Sequence, residues 1–155
     1  MIQIQKILVP TDFSESSRHA VDYAVSLAEE FHSEITLLHV VEELAVGYAG
    51  DLFPVPMAEV FDEISSYARK ELQRLASEVQ ASGVKVRESI VQGKAAHEIL
   101  RVAREEHFDL VVLGTHGRGV LDHALFGSTT ERVVRKAPCP VLTCRPPGHA
   151  PAKAG

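Results

Sequence analysis

Five short apolar runs alternate with longer stretches of helical periodicity, and this alternation confines the chain to a βα architecture. The runs are Gln5 to Thr11, Glu34 to Val41, Val84 to Val91, Phe108 to Leu113 and Cys139 to Arg145. Between the first two, Ala20, Ala24, Leu27, Ala28 and Phe31 recur at spacings of three and four, which predicts a helix from Ser14 to His32. Met57, Val60, Phe61, Ile64, Ala68, Leu72, Leu75 and Val79 form a second stripe that stops at Ser82-Gly83, where glycine suits a C-cap. Shorter helices are expected from Ala95 to His107, with Ile99, Leu100 and Ala103 facing inward, and from Ser128 to Lys136. Parallel strands joined by right-handed helical crossovers give one α/β domain. The expectation is a five-stranded, mainly parallel, open Rossmann-like sheet with helices on both faces. It covers residues 1–146, with a Pro, Gly and Ala-rich tail over 147–155 expected to be disordered. From Glu42 to Pro56 the period breaks at Gly47, Gly50, Pro54 and Pro56, marking a long connection.

Charge narrows the partners. Twenty-one acids against 16 bases leave a net charge of −5 with no basic block to neutralise a run of phosphates, which argues against nucleic acid. No apolar run approaches the roughly 20 residues of a membrane span, and Met1 to Lys6 lacks the apolar core of a signal peptide. The expected location is the cytoplasm, with no membrane partner. Cys139 and Cys144 are the two cysteines, and on a strand their odd separation puts them on opposite faces, so they read as buried thiols.

Ligands of such sheets bind at the carboxyl ends of the strands, where strand order reverses. Thr11-Asp12, His39-Val40 and Gly114-Thr115 all fall there. Gly114, Gly117 and Gly119 punctuate the loop between Leu113 and Ser128, which is longer than the ~2–6 residues of a plain strand-to-helix connection. Glycine permits a close ligand approach or a positive φ. Where the loop enters the last helix, unpaired N–H groups and the hydroxyls of Ser128, Thr129 and Thr130 suit phosphate oxygens. A ligand-free reading competes: Ser128-Thr-Thr-Glu131 has the form of a capping box.

Common nucleotide motifs do not fit. Gly93-Lys94 is followed by Ala95 and lacks the upstream glycine of a P-loop. Gly117-Arg-Gly119 is followed by Asp122 where a dinucleotide fingerprint needs its third glycine. A phosphoacceptor receiver would need an aspartate closing the third strand, where Val91-Gln92 stands.

Gly114-x-x-Gly117, nine residues, then Gly127-Ser128 resembles the ATP-binding signature of the universal stress protein family, Gly-x-x-Gly-x9-Gly-Ser/Thr. The resemblance extends through Lys6 to Asp12, Leu37 to Val40 and Ala137 to Leu142, and so covers roughly residues 3–145. It implies an adenine nucleotide alpha hydrolase-like fold with ATP, AMP or ADP lying across the carboxyl edge. By position, Pro10, Thr11 and Asp12 would meet the ribose or adenine, and the backbone at Val40 would hold the adenine edge. Leu113, Gly114, Gly117 and Arg118 would line the ribose and phosphates, and Gly127, Ser128, Thr129 and Thr130 would hold the phosphates. It also implies a homodimer through the last strand, Pro140 to Arg145, whose apolar edge needs cover.

Asp12 reads equally as a helix-terminal acid, and Arg118 as a solvated cation. His116 and His123 lack the carboxylate or cysteine neighbours at the spacing a metal site requires, so Mg2+ or Mn2+ is expected only through the phosphates and water. The leading reading is a dimeric, nucleotide-binding regulatory module of stress response with no catalytic residues. The alternatives are a slow ATPase or nucleotidyl-transferring enzyme, for which His116, Asp122 and His123 are the bases the loop offers, and a nucleotide-independent interaction protein.

Overall fold

The computed structural model describes residues 1–42, 57–116 and 126–147. Its elements run β1 Lys6–Pro10, α1 Glu15–Phe31, β2 Glu34–Val41, α2 Met57–Ala81, β3 Lys85–Gln92, α3 Ala95–Glu105, β4 Leu110–Gly114, α4 Ser128–Lys136 and β5 Val141–Cys144. All four strand pairings are parallel, in the order β3-β2-β1-β4-β5. The chain winds outward from β1 to β3, then returns to the other side of β1 to build β4 and β5. Strand order therefore reverses between β1 and β4.

Side-chain parity explains why both faces are covered. Ile7 and Val9 of β1, Ile35 and Leu37 of β2, and Leu110 and Val112 of β4 pack with α1 and α2 through Ala20, Ala24, Leu72 and Val79. The alternate residues, Leu8, Leu38, Val111 and Leu113, pack with α3 and α4 through Ile99, Ala103 and Val133. A strand buried on both faces needs apolar residues at every position, which is why β1 and β4 read as continuous apolar runs rather than alternating ones. The two thiols follow the same parity. Cys144 is buried in the first layer, whereas Cys139, which precedes β5, packs against the second and is only half-buried, not buried as expected. Burial pushes the Cys144 thiol up to about 11, and burial with the Asp109 charge raises Cys139 as well.

Helix ends lie where local chemistry allows them. Ser14 caps α1 by accepting the Ser17 N–H, and His32 closes it in the left-handed region at φ 57°. Gly83, at φ 88°, turns the chain from α2 into β3. The capping box of the competing ligand-free reading is not formed on α4. Gly127 holds the N-cap position, no side chain caps the helix, and its carbonyl accepts the Glu131 N–H. Ser128 is thus the first helical residue, and Glu131 pairs forward with Arg135 at 3.0 Å instead of reaching back. Among the described residues, no helix is long and apolar enough to cross a membrane. The Glu42–Pro56 connection beyond Glu42, and the tail from residue 148, lie outside the described residues.

Candidate functional site

At the carboxyl edge, β1 and β4 part, and a cleft of about 480 Å³ opens between their outgoing turns. Pro10, Thr11, Asp12, Val40, Leu113, Gly114, Gly127, Ser128, Thr129 and Thr130 all line it, so ten sequence-predicted positions are brought together. Gly117 and Arg118 lie outside the described residues, as do Asp122 and His123.

The turn from β1 into α1 is built from short hydrogen bonds. Thr11 Oγ1 accepts the Phe13 N–H at 3.1 Å and shares a hydrogen bond of 3.1 Å with Ser17 Oγ. Asp12 Oδ1 accepts the Ser14 N–H at 3.0 Å, an Asx turn that holds the carboxylate at the cleft wall. The two sequence readings of Asp12 are therefore compatible: one oxygen shapes the helix entry, and the residue faces the cleft. Phe13 pays for the sharp turn with a left-handed backbone at φ 64°, a conformation a non-glycine residue holds at a cost of about 1–3 kcal/mol.

On the opposite wall, the Gly127 N–H donates to the Thr115 carbonyl at 2.9 Å, which brings the start of α4 against the end of β4. Thr130 is buried, and its hydroxyl donates to the Gly114 carbonyl at 2.9 Å. That donor is therefore spent on the fold, and what Thr130 offers a ligand is its N–H in the first turn. Gly114 also has a structural reason to be glycine. A Cβ there would stand 2.7 Å from the Ser16 carbonyl carbon and 2.8 Å from its oxygen, so the bare backbone lets α1 pack onto β4. Neither Gly114 nor Gly127 takes a positive φ, contrary to one of the two uses expected of them.

Besides α1, the heads of α3 and α4 reach the cleft, and their ends differ. The Ala95 N–H at the head of α3 donates to Glu42 Oε1 at 3.0 Å, so a carboxylate already meets that terminus. The head of α4 has no side-chain cap, and the N–H groups of Ser128, Thr129 and Thr130 have no acceptor within the helix. The cleft is thus polar and donor-rich at α4, and apolar at Leu38, Val40, Ile99 and Leu113.

Leu38, Glu42, Ala95, Ile99 and Ser17 were not anticipated as site residues, and His39 was placed at this edge without a role. Two signals for them were present. Leu38 and Val40 share strand parity, and α3 follows the carboxyl end of β3, so its first turn had to reach the same edge.

Residues 3–145 match the model of the universal stress protein family. The chain belongs to that family. It is 35% identical over 144 residues to universal stress protein MJ0531 of Methanocaldococcus jannaschii, a match spanning 92% of this chain and 83% of the relative. Universal stress protein UspA from Lactobacillus plantarum superposes with a TM-score of 0.82 at 31% identity, covering 92% of this chain and 99% of the other. A universal stress protein from Archaeoglobus fulgidus, solved in complex with dAMP, superposes at 0.62 with 20% identity over 93% and 99% of the two chains, a likeness of fold.

Proposed function

We propose that this universal stress protein binds an adenine nucleotide, ATP above all, in the carboxyl-edge cleft and uses occupancy as a regulatory signal in stress response. The observation that carries this reading is the uncapped head of α4 facing the cleft, with Asp12 on the opposing turn and an apolar end beside Val40. Phosphate oxygens would take the N–H groups of Ser128, Thr129 and Thr130 and the Ser128 and Thr129 hydroxyls, in the field of the helix dipole. A planar base would lie against Leu38, Ile99 and Leu113, and the Asp12 carboxylate suits ribose hydroxyls, which donate. The dAMP complex of a distant protein of the same fold is consistent with such a ligand. Gly117 and Arg118 would line the ribose and phosphates, as the family resemblance implies. Mg2+ or Mn2+ would be held by the phosphates and water.

Binding rather than turnover is favoured by the cleft's chemistry. Among the described residues, His116 is the one imidazole on the phosphate side, and its Nδ1 lies 3.0 Å from Thr115 Oγ1. As in the family, the protein is proposed to pair as a homodimer through β5.

Isothermal titration of the full chain with ATP tests the reading. Ser128→Ala and Asp12→Asn are each expected to weaken binding by about tenfold, the worth of one hydrogen bond to a charged group. Wild-type affinity in both variants would overturn the site, and absence of any binding by wild type would favour the nucleotide-independent interaction protein.

A further inference from the structure

The rungs between β1 and β2 stop one short of where the pairing could continue. The register runs from Lys6 opposite Glu34 to Pro10 opposite Leu38, and one further bond joins the Thr11 N–H to the Leu38 carbonyl at 2.8 Å. The Glu34 N–H donates to the Gln5 carbonyl in this ladder. Six residues further along each chain, the same geometry would join the Val40 N–H to the Thr11 carbonyl. That bond is not made among the described residues; the Thr11 carbonyl is instead met by His39 Nδ1 at 2.8 Å. A carbonyl only accepts, so Nδ1 carries the proton and donates.

The consequence falls on Val40. In a parallel strand with two neighbours, successive residues direct their N–H and C=O groups to opposite sides. Glu34 and Leu38 bond toward β1, and the Val41 carbonyl accepts the Gly93 N–H on the β3 side. Val40 therefore points both backbone groups toward β1, at the level where β1 has already turned away and the cleft begins. His39 is held in this role by its surroundings. Its ring stacks on Phe13 with centroids 4.6 Å apart and planes 26° apart, and the Phe13 ring meets the edge of Tyr67 at 6.5 Å.

We propose that His39 is a positioning residue that captures the Thr11 carbonyl, ends the β1–β2 ladder there, and so keeps the Val40 N–H and C=O directed into the cleft for a base edge with one donor and one acceptor. The second half of this statement rests on the nucleotide reading above; the first does not.

Two variants separate the ring from its donor. In His39→Phe the stack on Phe13 is kept and the donor is lost, so the Thr11 carbonyl re-pairs with the Val40 N–H. In His39→Asn the side-chain N–H2 occupies the place of Nδ1 and the capture is kept. Amide hydrogen exchange of the full chain without nucleotide, read by NMR, is expected to show the Val40 amide at least about tenfold slower in His39→Phe than in wild type, with His39→Asn like wild type. Titration with ATP is expected to show about tenfold weaker binding for His39→Phe and wild-type affinity for His39→Asn. Equal Val40 exchange in wild type and His39→Phe overturns the proposal. Slowed exchange with unchanged ATP affinity overturns the role in base recognition while leaving the ladder capture standing. A wild type that binds no ATP defeats the nucleotide reading, and the exchange comparison still decides the capture.

Discussion

Gly114 shows how one residue can carry a family signature for a reason other than the ligand. Its missing Cβ makes room for the backbone of Ser16, and its carbonyl accepts the Thr130 hydroxyl. Ser16 in turn accepts the His116 N–H at 3.4 Å, so three segments meet at this point. Gly114→Ala must push backbone, not a flexible side-chain tip, and overpacking of that kind costs about 1–3 kcal/mol. The expected outcome is a lower melting temperature in the absence of any nucleotide. Ser128→Ala, at a position that caps nothing, should leave the melting temperature near that of wild type while weakening ATP binding. Thermal denaturation of the two variants side by side checks this, and a Gly114→Ala protein as stable as wild type would refute the packing argument. The glycine spacing was legible in the sequence because it is a pattern. Its cause was not, because Ser16 is brought to Gly114 only by the packing of α1 on β4.

At the scale of elements, α3 shows what periodicity reads and what it passes over. Ile99, Leu100 and Ala103 were recognisable as its inward face and are buried. Glu98 is buried too, and hydropathy hides this, since a carboxylate reads as solvent-facing unless its partners are known. Its oxygens accept from Arg101 Nε at 2.8 Å and lie 3.0 Å from His97 Nδ1. Its Cγ would stand 2.9 Å from a Cβ at Gly93, which holds a φ of 148°. The hydrogen bonds from Arg101 and His97 keep the Glu98 carboxyl below the usual carboxylate range against the opposing effect of burial. A carboxyl whose value is lower in the folded than in the unfolded chain stabilises the fold above the unfolded value of about 4.3, and this contribution fades as the pH falls through the folded one. Glu98→Gln should therefore melt below wild type at pH 7, with the gap closing as the pH drops below about 4. Melting curves across that range test it, and a gap that stays constant with pH would refute the assignment. The end of α4 makes the complementary case. Ser128-Thr-Thr-Glu131 matched a capping box by spacing, but Gly127 takes the cap and Arg135 takes the glutamate. Local pattern could not rank Arg135 against the backbone as a partner for Glu131.

For the molecule as a whole, the alternation of runs was enough to specify a parallel sheet with two helical layers. It was not enough to order the strands, because right-handed crossovers are compatible with winding to either side of β1. The order β3-β2-β1-β4-β5 opens the cleft between β1 and β4, and it leaves β5 as an edge with one strand partner. Along β5 the Pro140 and Cys144 carbonyls accept from Val111 and Thr115 of the β4 segment. By strand alternation, Val141 and Thr143 then turn their N–H and C=O groups outward. An edge of this kind, with Val141 and Leu142 only half-buried, is a template for a second chain unless something covers it. A second copy paired along this edge would meet both the backbone and the apolar demand. Thr143→Pro removes one outward donor while sparing the bonds to β4, and proline is tolerated on an edge strand when its missing N–H faced away from the sheet. Light scattering after size exclusion is expected to give the mass of two chains for wild type and of one for Thr143→Pro, with ATP affinity little changed because the cleft lies on the far side of β4. A dimeric Thr143→Pro would place the pairing elsewhere. A monomeric wild type would mean that the β5 edge is left to other partners, and that any signal from nucleotide occupancy leaves the cleft by another surface.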